Sequence, residues 1–286
     1  MGKRRAICTI LCYHDFVALK SRRQVSHTVS APLFSQGIMT THSIAEILVD
    51  KGKTLFDSPR ELVKFTGNGQ ADNLLNDLEN FPHAYVLACV MDRQIKAETA
   101  WLIPHLIAEK LGNFEFKSLE ALSLAEVEKL MTDPAPLHRF PTEMSKNFHS
   151  AIQTIAKKYE GVVSKVWDGE PSSAEVVYRF LEFRGVGQKI ATMAANILAR
   201  ELKIKFSDYY SIDISVDVHI RRVFYRLGLI HKSASNEQII YRARALSPAF
   251  PGLLDLPAWE IGRNWCKPSE PNCSECYMSK ACPKIM

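Results

Sequence analysis

Apolar residues along this chain recur at intervals of three and four rather than in alternation, the spacing that lines one face of a helix. "MSKNFHSAIQTIAKKYEG" (144–161) places Phe148, Ile152 and Ile155 on one face and ends in glycine. "HIRRVFYRLG" (219–228) repeats the pattern with Ile220, Val223, Phe224 and Leu227. "SLAEVEKLM" opens with Ser123 and Glu126, the spacing of a capping box, and "SSAEVVYRFLEF" opens with Ser172 and Glu175. "SIAEILVDKG" predicts a helix that starts at a Ser43 cap, with Glu46 three positions on, and stops at Gly52. "KAETAWLIPHLIAEKLG" (96–112) predicts a helix kinked at Pro104. "AYVLACVM" (84–91) is apolar throughout and reads as buried helical turns. No run alternates as a strand would, and no internal repeat is visible, so the expected class is all-α. Residues 1 to about 40 lack periodicity and are expected to form a loosely ordered arm.

Composition changes this picture little. The 286 residues, 47% of them hydrophobic, suffice for one large domain or two modest ones. A net charge of +5 permits an anionic partner without demanding one. The basic flank and apolar run of "KRRAICTILCY" are cut short by His14 and Asp15, too brief for a signal peptide or a membrane span. The expectation is a soluble intracellular protein.

Cysteine usage changes it more. An odd count of seven, without a secretory signal, argues against a disulfide framework. Cys266, Cys273, Cys276 and Cys282 form a C-x6-C-x2-C-x5-C run on a segment too polar to pack a core. Four thiolates so placed point to a metal centre, and both zinc and a [4Fe–4S] cluster accept that ligand set.

"EFRGVGQKIA" sits between two helical runs, the layout of a helix-hairpin-helix. Its glycines allow the turn and let a phosphate approach the backbone, while the N–H groups opening the second helix favour an anion. Such contacts hold a nucleic acid without reading its sequence; the same spacing also suits an inert turn. Lys189 falls in the first turn of the second helix, where the macrodipole disfavours an ammonium and favours the neutral amine that nucleophilic chemistry needs. Downstream, "SVDVHIRR" puts Asp217 just before a helix, as an N-cap or as a carboxylate beside Lys189, 28 positions away (217 − 189).

Taken in order, "FRGVGQKIA", "SVDVHIRRVFYRLGL" and the cysteine run resemble the helix-hairpin-helix DNA glycosylases of the endonuclease III type. Weaker similarity reaches back through "AYVLACVMDRQIKAETA" to about residue 82. The resemblance implies two helical domains with a DNA-binding cleft between them. A cluster domain would comprise residues 41–81 and 212–286, and a helical barrel residues 82–211 with the hairpin at 172–200. It makes Lys189 the nucleophile and Asp217 its carboxylate partner. It gives a backbone grip to Arg184, Gly185, Val186, Gly187 and Gln188, and makes Gln94 the residue that fills the gap left by a flipped nucleotide. It also selects [4Fe–4S] over zinc for the four cysteines, in a loop where Lys267 or Lys280 would meet phosphates.

The implied function is excision of a damaged or mismatched base from double-stranded DNA by a monomeric enzyme, with strand nicking through a lysine Schiff base. A glycosylase without the nicking step, or a non-catalytic DNA-binding module, uses the same parts. The chain departs from the family in four places. Arg184 replaces a proline, "IKAETA" lacks the usual Thr-Asp pair, the stretch before Asp217 is long, and the first eighty residues have no counterpart.

Overall fold

The computed structural model describes residues 41–286, and the arm expected over residues 1 to 40 lies outside them. Twelve helices occur among the described residues and no strands. They are α1 (Thr41–Asp57), α2 (Gly69–Asn76), α3 (Pro82–Met91), α4 (Ala97–Leu111), α5 (Phe116–Glu120), α6 (Leu124–Thr132) and α7 (Pro141–Lys158). There follow α8 (Ser173–Leu181), α9 (Gln188–Arg200), α10 (Val218–Arg226), α11 (Asn236–Leu246) and α12 (Asp255–Asn264), with short 3-10 turns at Val163–Val166 and Pro251–Leu254. None is long and apolar enough to cross a membrane.

Apolar side chains gather into two cores. The larger surrounds α3, whose residues from Ala84 to Met91 are all fully buried, as a helix apolar on every face requires. Phe148, Ile152 and Ile155 of α7 and Ile190, Ala194 and Leu198 of α9 pack into the same core. Tyr85 Oη donates to the Ala194 carbonyl at 2.7 Å and ties α3 to α9. The smaller core joins Ile44 and Leu48 of α1 to Ile220, Val223 and Phe224 of α10, Ile239 of α11 and Ile261 of α12. Leu75 of α2 belongs to the larger core, so the apolar contacts of residues 41–81 divide between the two.

Capping follows the sequence in part. Ser123 and Glu126 close a reciprocal capping box, Ser123 N donating to the Glu126 carboxylate at 2.8 Å. At α8, Ser172 Oγ accepts from Glu175 N, but the Glu175 carboxylate pairs with Arg179 one turn on. The stop expected at Gly52 does not occur, because α1 runs through it to Asp57. A Cβ at Gly52 would lie 2.1 Å from the carbonyl oxygen of Leu253, so the glycine serves a close crossing of α1 over the Pro251–Leu254 turn. Helix α4 carries Pro104 in its interior and continues to Leu111, ending at Gly112 with φ +74°.

Candidate active site

The hairpin is the turn between α8 and α9. Its two glycines differ in what they do. Gly185 has φ +86°, and a Cβ there would meet Asn147 Nδ2 at 2.7 Å and Arg93 Nη1 at 2.8 Å. Gly187 is the N-cap of α9 and has no neighbour within 4 Å of a Cβ position. No side chain caps α9, so no side-chain acceptor occupies the backbone N–H groups of its first turn, the donors that anion binding uses. Val186 turns its side chain into the larger core and offers only its backbone. Gln188 reaches sideways to Asp213 Oδ2 at 3.5 Å. Arg184, standing where proline was expected, is exposed and pairs with Glu143 of α7 at 3.1 Å.

Lys189 follows on the exposed first turn of α9. Asp217 N-caps α10, its Oδ1 accepting from His219 N and Ile220 N, each at 2.8 Å. Its Oδ2 makes no hydrogen bond to the described residues. The fold brings Lys189 and Asp217 to one cleft of about 660 Å³. Ser215, two residues before Asp217, spans the connection: its hydroxyl lies 3.4 Å from the Lys189 carbonyl, and its N–H donates to Asp255 Oδ1 at 2.6 Å.

Several residues of this cleft escape a reading of the sequence. Asp255 opens α12, and burial pushes its carboxyl above the usual carboxylate range, against the pull of the Ser215 amide, Arg200 and Lys189. Asp92 follows the last residue of α3; burial raises its carboxyl too, with Lys189 and the Trp101 indole opposing the shift. The segment 63–67, which has no secondary structure of its own, also lines the cleft. Asp72 accepts from Thr66 N at 2.8 Å, Thr66 Oγ1 at 2.7 Å and Gly67 N at 3.2 Å, while Asn76 bonds both backbone groups of Val63. Phe65, held on this loop, stacks on Trp101 with centroids 4.5 Å apart and planes 7° from parallel. An acid directly after an apolar run is the signal that could have found Asp92; the loop carries no periodicity to read.

Gln94 does not line the cleft. It is exposed in the turn between α3 and α4, with φ +57°, a left-handed conformation that a residue other than glycine adopts at an energetic cost.

The four cysteines line one small apolar pocket with Val223, Leu227, Ile261 and Trp265. Among the described residues, no group of three or more His, Cys, Asp or Glu is arranged to hold a metal ion. A cluster differs from a single ion in that each of its irons takes one thiolate, so its ligands surround a body rather than converge on a point. The donor set fits that demand. Arg226 Nη1 lies 3.4 Å from Cys266 Sγ, and Lys284 N donates to Cys282 Sγ at 3.3 Å. Burial pushes the Cys276 and Cys282 thiols up, and the neighbouring cysteines add to the push.

A family model described as HhH-GPD superfamily base excision DNA repair protein matches residues 87–248. The endonuclease III of Thermotoga maritima is 27% identical over 128 residues, 45% of this chain and 51% of that protein. The chain thus spans about half the length of that curated relative. In fold it is similar to a trapped endonuclease III–DNA covalent intermediate, with TM-score 0.55 and 19% identity over 86% of this chain and 97% of that one. It is also similar to a thermostable thymine-DNA glycosylase, with TM-score 0.57 and 16% identity over 85% and 97% of the two chains. The family match covers more than half of the sequence, and it includes the hairpin, Lys189 and Asp217. The chain belongs to the HhH-GPD superfamily of base excision DNA repair proteins.

Proposed function

We propose that this protein is a bifunctional DNA glycosylase, which removes a damaged or mismatched base from duplex DNA and then nicks the strand. The observation that carries the reading is the shared cleft of Lys189 and Asp217 beside the uncapped N-terminus of α9. The reacting atom of a nucleotide lies inside the duplex, so it must be turned out at a cost of a few kcal/mol. The backbone N–H groups around Gly187 hold a phosphate of the strand, and Gln94, already in a strained turn outside the cleft, enters the vacated stack.

The glycosidic bond then breaks, its electron pair leaving with the base. Positive charge develops on the sugar, where the Asp217 carboxylate stabilises it. Lys189 Nζ bonds C1′, its proton passing to water, and the sugar ring opens to an imine. Loss of the C2′ proton from that imine expels the 3′ phosphate and cuts the strand. A [4Fe–4S] cluster held by Cys266, Cys273, Cys276 and Cys282 would order the C-terminal loop, in which Lys267 or Lys280 would meet phosphates.

The test is reduction with borohydride in the presence of duplexes bearing a single lesion or an abasic site. Wild-type protein is expected to form a covalent complex and Lys189→Ala none. Equal trapping by the variant would reassign the nucleophile. Base release without trapping would indicate a glycosylase that uses water, and salt-sensitive binding without release a binding module.

A further inference from the structure

Five carboxylates line the Lys189 cleft, and four of them are engaged. Glu98 pairs with Arg263 and Glu201 with Arg200. Asp217 caps α10, and Asp255 anchors the Ser215 amide. Asp92 accepts from no backbone amide of the described residues. Its side chain has a single long contact, with Trp101 Nε1 at 3.5 Å from Oδ2. It stands at the C-terminal end of α3, where the unpaired carbonyls and the macrodipole disfavour a negative charge. Its neighbours place it further. Trp101 continues into the stacked Phe65 ring, so Asp92 lies where an aromatic wall meets the Lys189 side of the cleft. A base turned into this cleft is bonded to the sugar carbon that Lys189 attacks, and an aromatic ring is the surface on which a base stacks.

We propose that Asp92 is the acid that protonates the departing base, which leaves against the partly exposed Phe65 ring that covers Trp101. This inference rests on the glycosylase reading above. As the glycosidic bond breaks, its electron pair passes to the base and the base takes the Asp92 proton. The Asp92 carboxylate left behind is reprotonated from water after release. Burial raises the carboxyl above the usual carboxylate range, the direction an acid needs. The charged groups facing it are Lys189 on α9, which opposes that shift, and Glu98 on α4, which adds to it.

The experiment compares wild type, Asp92→Asn and Asp92→Glu in two single-turnover assays. Base release is followed on duplexes carrying 8-oxoguanine opposite cytosine, thymine glycol opposite adenine or uracil opposite guanine, using whichever the wild type opens. Borohydride trapping is followed on a duplex with a preformed abasic site, from which no base departs. Asp92→Asn is expected to slow release about a hundredfold or more, while abasic-site trapping persists and attests to an intact fold. Wild-type release should fall as pH rises through the raised Asp92 value. Asp92→Glu should keep that limb at a shifted pH, and Asp92→Asn should lose it.

Release by Asp92→Asn at the wild-type rate would overturn the proposal. So would a parallel loss of trapping, which would make Asp92 a support for the lysine. Base release by wild type without trapping would instead count against Lys189 as nucleophile, and slowed release by Asp92→Asn would still support the acid.

Discussion

Arg244 of α11 grips Asp213 with two bonds, Nε to Oδ1 at 2.7 Å and Nη2 to Oδ2 at 2.8 Å. Asp213 is buried, and its Oδ2 also meets the Gln188 amide that opens α9. The pair therefore fastens the stretch leading to Asp217 against the start of the Lys189 helix. Arg244→Ala leaves a buried carboxylate without its counter-charge, a loss of about 2 kcal/mol given the partly exposed arginine. The expected result is a melting temperature several degrees lower. Arg244→Lys should recover only part, since an ammonium cannot make the two-pronged contact. Identical melting of wild type and Arg244→Ala would refute a structural role for the pair.

The two hairpin glycines should separate stability from binding. Gly185→Ala forces a Cβ onto Asn147 and Arg93 at a positive φ, and should destabilise the protein by about 1–3 kcal/mol. Gly187→Ala meets no neighbour and should leave melting within about 0.5 kcal/mol of wild type. If the proposed grip holds a phosphate there, the added methyl group would stand in its path, so DNA affinity measured by anisotropy should fall. Normal affinity for Gly187→Ala would move the phosphate grip elsewhere.

Asp217 both caps a helix and faces the cleft, and two substitutions divide these roles. Asparagine caps about as well as aspartate, so Asp217→Asn should keep the melting temperature yet slow base release by about 10²–10³-fold. Asp217→Ala should add a stability loss of about 1 kcal/mol. If Asp217→Asn releases base at the wild-type rate, the carboxylate is a cap and nothing more.

The helices were legible because burial imposes its own period: Phe148, Ile152 and Ile155 had to share a face, and the run 84–91 had to be enclosed. Lys189 and Asp217 each suited a structural position, and it was their order together with the cysteine run, through its resemblance to the endonuclease III type, that set them apart. Gly52 misled because a glycine in a close helix crossing looks the same in sequence as one ending a helix. The Phe65 loop and Asp255 were hidden for a different reason. Their place in the cleft comes from long-range clasps, Asp72 on Thr66 and Asp255 on Ser215, that no local spacing records.

The cysteine pocket makes a spectroscopic prediction. Protein purified without air should carry broad visible absorbance and about four irons per chain, as a [4Fe–4S] centre requires. Cys273→Ser should lose both, along with the order of the loop that Arg226 holds through the Lys267 and Pro268 carbonyls. A colourless protein containing one zinc would exclude the cluster.

Acid sensitivity should trace in part to His83. Its ring is buried between Phe81, Phe114 and Phe116, with Nε2 2.7 Å from the Phe114 carbonyl, and burial holds it below the ordinary value of 6.5. The unfolded chain therefore takes up a proton, as pH falls through 6.5, that the folded chain refuses. Stability from this residue is complete above that pH and is lost below it, by up to about 1.4 kcal/mol per pH unit until the folded value is reached. His83→Gln retains an N–H for the Phe114 carbonyl and cannot titrate. Between about pH 7.5 and pH 5.5 its melting temperature should fall less steeply than that of wild type. His138, also buried and held low, titrates equally in both proteins and cancels from the comparison. Parallel melting profiles would show that His83 protonates as readily in the folded state as in the unfolded one.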